Sequence, residues 1–204
     1  ESGEELVVDN KYIMSPKDLC TVDFLDRFLD AGVRVLKIEG RARSADYVKR
    51  VVECYDEALR AIEEGTYTPE RAEQWKERLR TVFNRGFWGG YYMGARAGEW
   101  SRTYGSSATV RKVYVGKVTN YFARIGVIEL QVEAAPLSVG EPVFLAGETT
   151  GVVEFVVEEI RVALKPVQEA PQGVLCSIKV PTLIRRGDKL FKTVPSDEKA
   201  DRNR

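Results

Sequence analysis

The chain has 204 residues, with 31 basic and 31 acidic side chains, so its formal net charge is zero. This balance gives no global electrostatic case for a nucleic-acid-binding protein. The hydrophobic fraction of 44% is enough for a folded core, and no apolar run approaches the length of a membrane span. The chain opens at Glu1 without an initiator methionine, and we interpret it as a fragment of a longer protein.

Histidine is absent from the sequence. The chain alone therefore cannot complete a Ser–His–Asp or Cys–His catalytic site, or a histidine-ligated metal site. Its three cysteines, Cys20, Cys54 and Cys176, are far apart, which argues against a disulfide scaffold and favours a reducing cytoplasm. We expect Cys54 and Cys176 to be core residues.

The first predicted helix begins at Ser15. Ser15 is a suitable N-cap, Pro16 suits the first helical position, and Asp18 completes a capping-box pattern. Apolar residues then recur at helical spacing up to Leu29, and Gly32 is expected to end the helix in the left-handed conformation.

Two strands are predicted on either side of that helix, at residues 12–14 and 33–40. The second has the pattern of a strand buried on both faces, as in a parallel β/α barrel. Lys37 and Glu39 would then point into the barrel near the carboxyl end of the strand, where active sites of this fold lie.

Two further helices are predicted before residue 86. Ser44 is the N-cap of the first, which continues to Gly65. Thr68 and Pro69 open the second, and the sequence Asn-Arg-Gly at 84–86 stops it.

Residues 86–105 are rich in glycine and aromatic residues, and we interpret them as an ordered crossover packed on both domains. Stacking on nucleic-acid bases is the alternative reading of these aromatic side chains. The predicted domains are residues 1–85, this crossover, residues 106–194, and a disordered tail at 195–204.

The second domain alternates like β-structure, with six strands that would close into a small antiparallel barrel. The predicted strands are 110–119, 123–133, 141–146, 151–161, 173–180 and 188–194.

Three stretches of the sequence resemble the peptidase U32 (collagenase-like) family. They are YIMSPKDLC at 12–20, AGV followed by LKIEGR, Ser44 and Tyr47-Val48 at 31–48, and NRGF followed by GYY at 84–92. VGKV at 115–118 and RGDKLF at 186–191 resemble the family's C-terminal barrel, which is similar to domain 2 of translation elongation factors. The resemblance implies the last βα units of a TIM-type barrel followed by that small barrel.

The resemblance also implies a chemistry. Better-understood relatives act in hydroxylation of the tRNA wobble uridine, of ribosomal RNA cytidine or of ubiquinone precursors. Several hold an iron–sulfur cluster on four cysteines, in which Cys20 would match the last ligand and the other three would lie upstream of this chain. The implied partners are tRNA, a family paralogue, or a prephenate-like small anion.

Charged residues on the predicted strand end and its flanks are the candidate site. Lys37, Glu39 and Arg41 are the predicted catalytic residues, suited to proton transfer or to binding an anion. A structural ion pair between Lys37 and Glu39 is the alternative. The predicted substrate-binding residues are Lys17, Arg43 and Tyr47, and the predicted metal ligand is Cys20.

Three functions remain open from the sequence. The first is part of an RNA hydroxylase acting on the tRNA wobble uridine; the second is a peptidase, for which histidine is missing. The third is a non-enzymatic module that binds RNA or protein. We expect the chain to be inactive alone, because most of a TIM-type barrel would be missing.

Overall fold

The computed structural model describes residues 15–95, 98–101 and 105–196. The strand predicted at 12–14, and residues 197–204 of the predicted tail, lie outside these ranges. The chain divides into two compact units, residues 1–109 and 110–204. Within the described ranges, every helix is too short or too polar to cross a membrane.

The first unit is mainly helical. Its elements are strand β1 (Asp18–Leu19), a 3₁₀ turn (Val22–Phe24), helix α1 (Leu25–Asp30), helix α2 (Ala45–Glu63), helix α3 (Pro69–Arg80) and strand β2 (Phe87–Trp88). The two strands pair in parallel, with Asp18 opposite Phe87 and Leu19 opposite Trp88.

The starts of α2 and α3 confirm two predicted caps. Ser44 occupies the N-cap position of α2. Thr68 caps α3, since its hydroxyl accepts the backbone N–H of Arg71 at 3.3 Å, and Pro69 follows at the first helical position. A side-chain oxygen at this position satisfies a backbone donor that the helix leaves unpaired.

The helix predicted to begin at Ser15 is wrong at its start. The backbone N–H groups of Lys17, Asp18 and Cys20 donate to the carbonyls of residues 99, 86 and 88, so this stretch is extended. Helical structure begins only at the 3₁₀ turn. Long-range backbone pairing replaces the first helical turn because it satisfies the same donors.

The predicted end of the same helix is confirmed at Gly32, which has φ of +89°. Its N–H donates to the carbonyl of Leu29, and the N–H of Val33 donates to that of Phe28, both at 3.0 Å. These two bonds form the Schellman motif, which favours glycine at the left-handed position.

The strand predicted at 33–40 is absent: these residues have no regular structure, and Val35 is 84% exposed. A parallel strand exists only through hydrogen bonds to its neighbours, and no other described segment pairs with this one. Parallel pairing is limited, among the described residues, to the two-residue pair of β1 and β2, so the predicted βα units of a TIM-type barrel are not confirmed.

A compact apolar core holds the first unit together around the facing sides of α2 and α3. Its central residues are fully or almost fully buried: Val22, Leu25, Cys54, Ala58, Ala61, Ala72, Trp75 and Leu79. Small alanines on both helices let them approach closely, and Tyr67 stacks on Trp75 with ring centroids 5.9 Å apart.

The described part of the second unit contains ten strands. They are β3 (Val110–Phe122), β4 (Val127–Val132), β5 (Leu137–Ser138), β6 (Pro142–Gly147), β7 (Gly151–Val156), β8 (Ile160–Val162), β9 (Lys165–Val167), β10 (Glu169–Ala170), β11 (Leu175–Lys179) and β12 (Lys189–Pro195). Five predicted strands each correspond to one observed strand, whereas the strand predicted at 151–161 is divided into β7 and β8. The short strands β5, β9 and β10 were not predicted.

Eight of these strands form one antiparallel sheet in the order β7-β6-β12-β3-β4-β11-β8-β9, while β5 pairs with β10. Among the described residues nothing pairs β7 with β9, so the sheet is open and the predicted closed six-stranded barrel is wrong. The chain is a mixed α/β protein with a large antiparallel sheet. Of the extra short strands, β8 and β9 extend the sheet, whereas β5 and β10 form a separate pair.

The inner face of this sheet carries the core of the second unit. Its fully buried residues include Val115, Ile128, Leu130, Val132, Leu137, Leu145, Ile160 and Leu190. Gly116 is required by the close approach of β3 and β4, because a Cβ there would lie 2.0 Å from the carbonyl oxygen of Gln131.

Candidate functional site

The first unit has a cavity of about 270 Å³ beside Cys20. Its wall combines one thiol, three charged side chains and the backbone that follows α3. The lining residues are Cys20, Asp23, Lys76, Arg80, Asn84, Gly86, Phe87, Trp88, Gly89 and Ser107.

Cys20 lies between β1 and the 3₁₀ turn, with its side chain almost fully buried. The predicted location in the first turns of a helix is wrong, so no helix N-terminus supports a thiolate here. Burial raises the pKa of the Cys20 thiol, and hydrogen bonding from the Val22 backbone and the Tyr55 hydroxyl offsets part of this rise. Without a further positive charge or a metal, Cys20 is a neutral thiol.

Two cations of α3, Lys76 and Arg80, line the cavity one helical turn apart. Lys76 binds Asp23 at 2.9 Å and Glu73 at 3.3 Å. Burial would lower the pKa of Lys76, but these two carboxylates outweigh it and raise the pKa. Arg80 binds Glu73 at 2.8 Å and Glu77 at 2.5 Å. Both cations of the cavity wall are therefore already paired, with three carboxylates between them.

Asn84 shapes the floor of the cavity and is 3% exposed. Its amide nitrogen donates to the carbonyls of Val82 and Arg80, and its oxygen accepts the N–H of Gly86 at 3.1 Å. These bonds hold the turn that leads from α3 into β2.

The structure brings together two of the predicted binding residues, Arg43 and Tyr47, with Asp18. Asp18 accepts the backbone N–H of Arg85 at 2.9 Å and lies 3.5 Å from the Arg43 guanidinium. That guanidinium also lies 4.0 Å from the centre of the Phe83 ring and 5.5 Å from that of Tyr47. Burial, and then the Asp18 carboxylate, raise the pKa of Tyr47.

This arrangement corrects one sequence interpretation. Asp18 is not a helix-capping residue, since its two oxygens hold Arg43 and the backbone at Arg85. The cluster fixes the start of α2 to the turn after α3. Lys17, the third predicted binding residue, lies outside the cluster and pairs with Glu99 at 2.5 Å.

The predicted catalytic residues Lys37, Glu39 and Arg41 are all exposed, and none lines the cavity. Glu39 accepts the backbone N–H of Arg41 at 2.7 Å. Lys37 forms no ion pair or hydrogen bond with any residue that the structure describes, so the alternative Lys37–Glu39 pair is not formed. Their catalytic role stays a prediction.

Sequence reasoning missed Lys76, Arg80, Asn84 and Tyr55. The spacing of Lys76 and Arg80 places them on one helix face, which was a usable signal. The role of Tyr55 had no local signal, because its hydroxyl meets Thr21 and Cys20 across the core.

The described residues offer few ligands for a metal ion or cluster. They contain no group of three or more His, Cys, Asp or Glu side chains that could hold a metal ion. Cys20 would supply one thiolate, whereas Cys54 is buried against the Trp75 carbonyl and Cys176 lies in the second unit. The described residues thus fit one position of a four-cysteine site.

The amino-acid sequence is similar to a known protein family and to several of its members. The sequence model of peptidase family U32 matches residues 1–102. A collagenase of Porphyromonas gingivalis is 52% identical over 192 residues, which cover 94% of this chain and 46% of that protein. An uncharacterized protease of Methanocaldococcus jannaschii is 33% identical over 190 residues, covering 92% and 46%.

A more distant relative carries a different activity in its name. The tRNA hydroxylation protein P1 of Bacillus subtilis is 31% identical over 130 residues, covering 63% of this chain and 30% of that protein. The chain spans about half the length of the first curated relatives that it matches.

Proposed function

Because this chain belongs to peptidase family U32, we propose that it is the C-terminal part of a longer protein that hydroxylates RNA at the tRNA wobble uridine. The position of Cys20 carries the proposal: its thiol lines a cavity beside two cations of α3. Likeness to a tRNA hydroxylation protein supports the choice of reaction.

The chain's own residues favour this reaction over peptide hydrolysis. There is no histidine to act as a general base. Burial raises the pKa of all three thiols, to about 11 for Cys54 and Cys176. A nucleophilic cysteine needs the opposite shift.

In this proposal, residues 33–40 become a strand of a TIM-type barrel when the remaining length of the protein supplies neighbouring strands. The alternating sequence and the exposure of Val35 (84%) and Ile38 (37%) support this interpretation. Lys37, Glu39 and Arg41 would then reach the mouth of the barrel, as the sequence predicts.

An iron–sulfur cluster would be held in this chain by Cys20, and it would supply redox chemistry for oxygen insertion. Lys76, on the cavity wall, would favour the thiolate form of Cys20. A small anion such as prephenate is the proposed small-molecule partner. A family paralogue remains the other proposed partner, and the cytoplasm the proposed location.

Metal analysis of the full-length protein tests the role of Cys20. We expect Cys20→Ser to lose most of the bound iron and sulfide, because a serine hydroxyl is a poor cluster ligand. Cys54→Ser is the matched control, since Cys54 is also buried but packs between α2 and α3. Equal iron in wild type and Cys20→Ser would remove Cys20 from any cluster.

A collagenase-like peptidase is the second candidate, favoured by the 52% identical relative named for that activity. Two assays separate the candidates: mass spectrometry of tRNA nucleosides from a deletion strain, and gelatin digestion by the purified full-length protein. Unaltered wobble uridines together with gelatin cleavage would reject the hydroxylase and favour the peptidase.

A further inference from the structure

The second unit has a groove of about 420 Å³ whose rim is basic. It is lined by Lys117, Val118 and Thr119 of β3 and by Arg186 and Gly187 of the turn before β12. Its two charged lining residues, Lys117 and Arg186, are cations, and both are exposed.

The sheet register places a third cation, Lys189, directly opposite Lys117. Lys117 on β3 and Lys189 on β12 are direct Cα partners in the antiparallel ladder. Like charges directly opposite each other across two strands repel and destabilise the pair. The pair therefore concentrates positive charge at one place on the surface of the sheet, where a bound anion would relieve the repulsion.

The turn before β12 adds Arg186 to the pair. Gly187 has φ of +97°, and its N–H donates to the Val118 carbonyl at 2.9 Å. A Cβ on Gly187 would lie only 3.8 Å from Cε of Lys117, so the Lys117 side chain passes over this turn. The backbone thus fixes the two basic residues next to each other.

The carboxylates near these cations are hydrogen-bonded to other groups. Asp188 is 6% exposed, and its carboxylate accepts the N–H of Arg185 at 2.9 Å. Glu129 accepts the Thr119 hydroxyl at 2.7 Å. Among the residues that the structure describes, no carboxylate pairs with Lys117, Arg186 or Lys189.

We propose that Lys117, Arg186 and Lys189 form a binding site for the phosphate backbone of RNA. An arginine guanidinium binds phosphate oxygens in pairs, and lysine ammonium groups add point charges. Arg185, whose guanidinium donates to the Thr150 hydroxyl, extends the basic rim. The choice of RNA rests on the proposed function, whereas the phosphate chemistry rests on the groove alone.

Binding of a fluorescein-labelled tRNA transcript to the 204-residue chain, followed by fluorescence anisotropy over a range of KCl concentrations, tests the site. The variant is Lys117→Gln/Arg186→Gln/Lys189→Gln. We expect at least about a tenfold loss of affinity at low salt, and a salt slope smaller by about 2, because each lost phosphate contact removes about 0.7 from the slope.

The matched control is Arg124→Gln/Lys165→Gln/Lys179→Gln, which removes the same charge from exposed residues of the same unit. It should keep wild-type affinity within about twofold. Wild-type binding by the groove variant, or equal losses in both variants, would overturn the proposal. Arg186→Gln alone, in the turn outside the strands, repeats the test with about a threefold loss if the triple variant does not fold.

Because anisotropy reads binding and not hydroxylation, the two proposals can fail separately. Groove-dependent binding with unaltered wobble uridines in the deletion strain would keep this site and reject the hydroxylase. Altered uridines together with tRNA binding that does not depend on the groove would support the hydroxylase and reject this site.

Discussion

At the scale of single residues, Glu57 links the two long helices of the first unit. Its carboxylate on α2 accepts the Trp75 indole N–H at 3.0 Å and the Arg78 guanidinium at 2.5 Å, both on α3. The Arg78 hydrogen bond is the main cause that lowers the pKa of Glu57. The ionised form of Glu57 therefore stabilises the folded state.

We predict that Glu57→Gln lowers the free energy of unfolding by about 0.5–1 kcal/mol at neutral pH, a modest value because the pair is partly solvated. The pKa of Glu57 is lower in the folded state, so this contribution is full above about pH 4.3, the unfolded value, and is lost as pH falls through the folded value. Urea unfolding at about pH 7 and about pH 3 measures both effects.

Asp56→Asn is a suitable control for that experiment. Asp56 lies on the same helix, but it is 53% exposed and binds only Arg60 of its own helix at 2.9 Å. We expect a smaller destabilisation there. A Glu57→Gln effect that is equal at both pH values would show that packing, and not charge, accounts for it.

Asp18 shows which part of the site the sequence could not predict. Its position three residues after Ser15 is typical of a helix cap, and that local signal was misleading. Its actual partners, Arg43 and Arg85, are 25 and 67 residues away. The sequence grouped Arg43 and Tyr47 with Lys17 as substrate-binding residues, a role that stays a prediction, and it could not place Asp18 with Arg43.

At the scale of elements, the hairpin between β8 and β9 contains unfavourable backbone geometry. Ala163 and Leu164 connect the strands with φ of +47° and +67°. Both values are left-handed, as in a type I′ turn, where asparagine and glycine are preferred. Leu164 is also 84% exposed, so it contributes little packing in return.

We predict that Leu164→Gly raises the free energy of unfolding by about 1 kcal/mol, because it relieves a left-handed residue with a Cβ. Chemical denaturation of the 204-residue chain measures the change. Leu183→Gly is the control: Leu183 is 53% exposed and does not have positive φ. That change should be neutral or destabilising. Destabilisation by Leu164→Gly would mean that the leucine makes a contact worth more than the strain.

The strands show what periodicity can and cannot predict. Five of the six predicted strands of the second unit match single observed strands, because alternation over five or more residues is a strong signal. Strands β5 and β10 have two residues each, too few for a period. Residues 33–40 have the sequence pattern of a strand, but no other described segment hydrogen-bonds to them. The pattern alone is therefore not sufficient to form a strand.

At the scale of the whole molecule, the two units differ in how well they bury their apolar residues. Among the described residues, sixteen form the buried core of the second unit and ten that of the first. Large apolar side chains are exposed in both units, eight among the described residues of the first and six among those of the second. In the first unit three of them, Tyr91, Tyr92 and Met93, are consecutive, and a contiguous exposed apolar patch marks a surface that another segment covers.

We therefore predict that residues 110–196 fold alone, whereas residues 15–109 do not remain monomeric alone. The second unit has its own core and a continuous hydrogen-bonded sheet, which are the requirements for independent folding. Its isolated form should show a β-type circular dichroism spectrum and a single cooperative thermal transition. The first unit alone should associate or bind a hydrophobic dye, since its exposed side chains lack cover.

The two halves of this prediction can be judged independently. A broad, non-cooperative transition for residues 110–196 would show that the sheet needs the first unit in order to fold. A monomeric, dye-free form of residues 15–109 would show that its apolar surface needs no cover, and it would weaken the case that residues 33–40 await neighbouring strands. Adding the remaining part of the full-length protein in trans should suppress dye binding, because new strands would cover the segment that contains Val35.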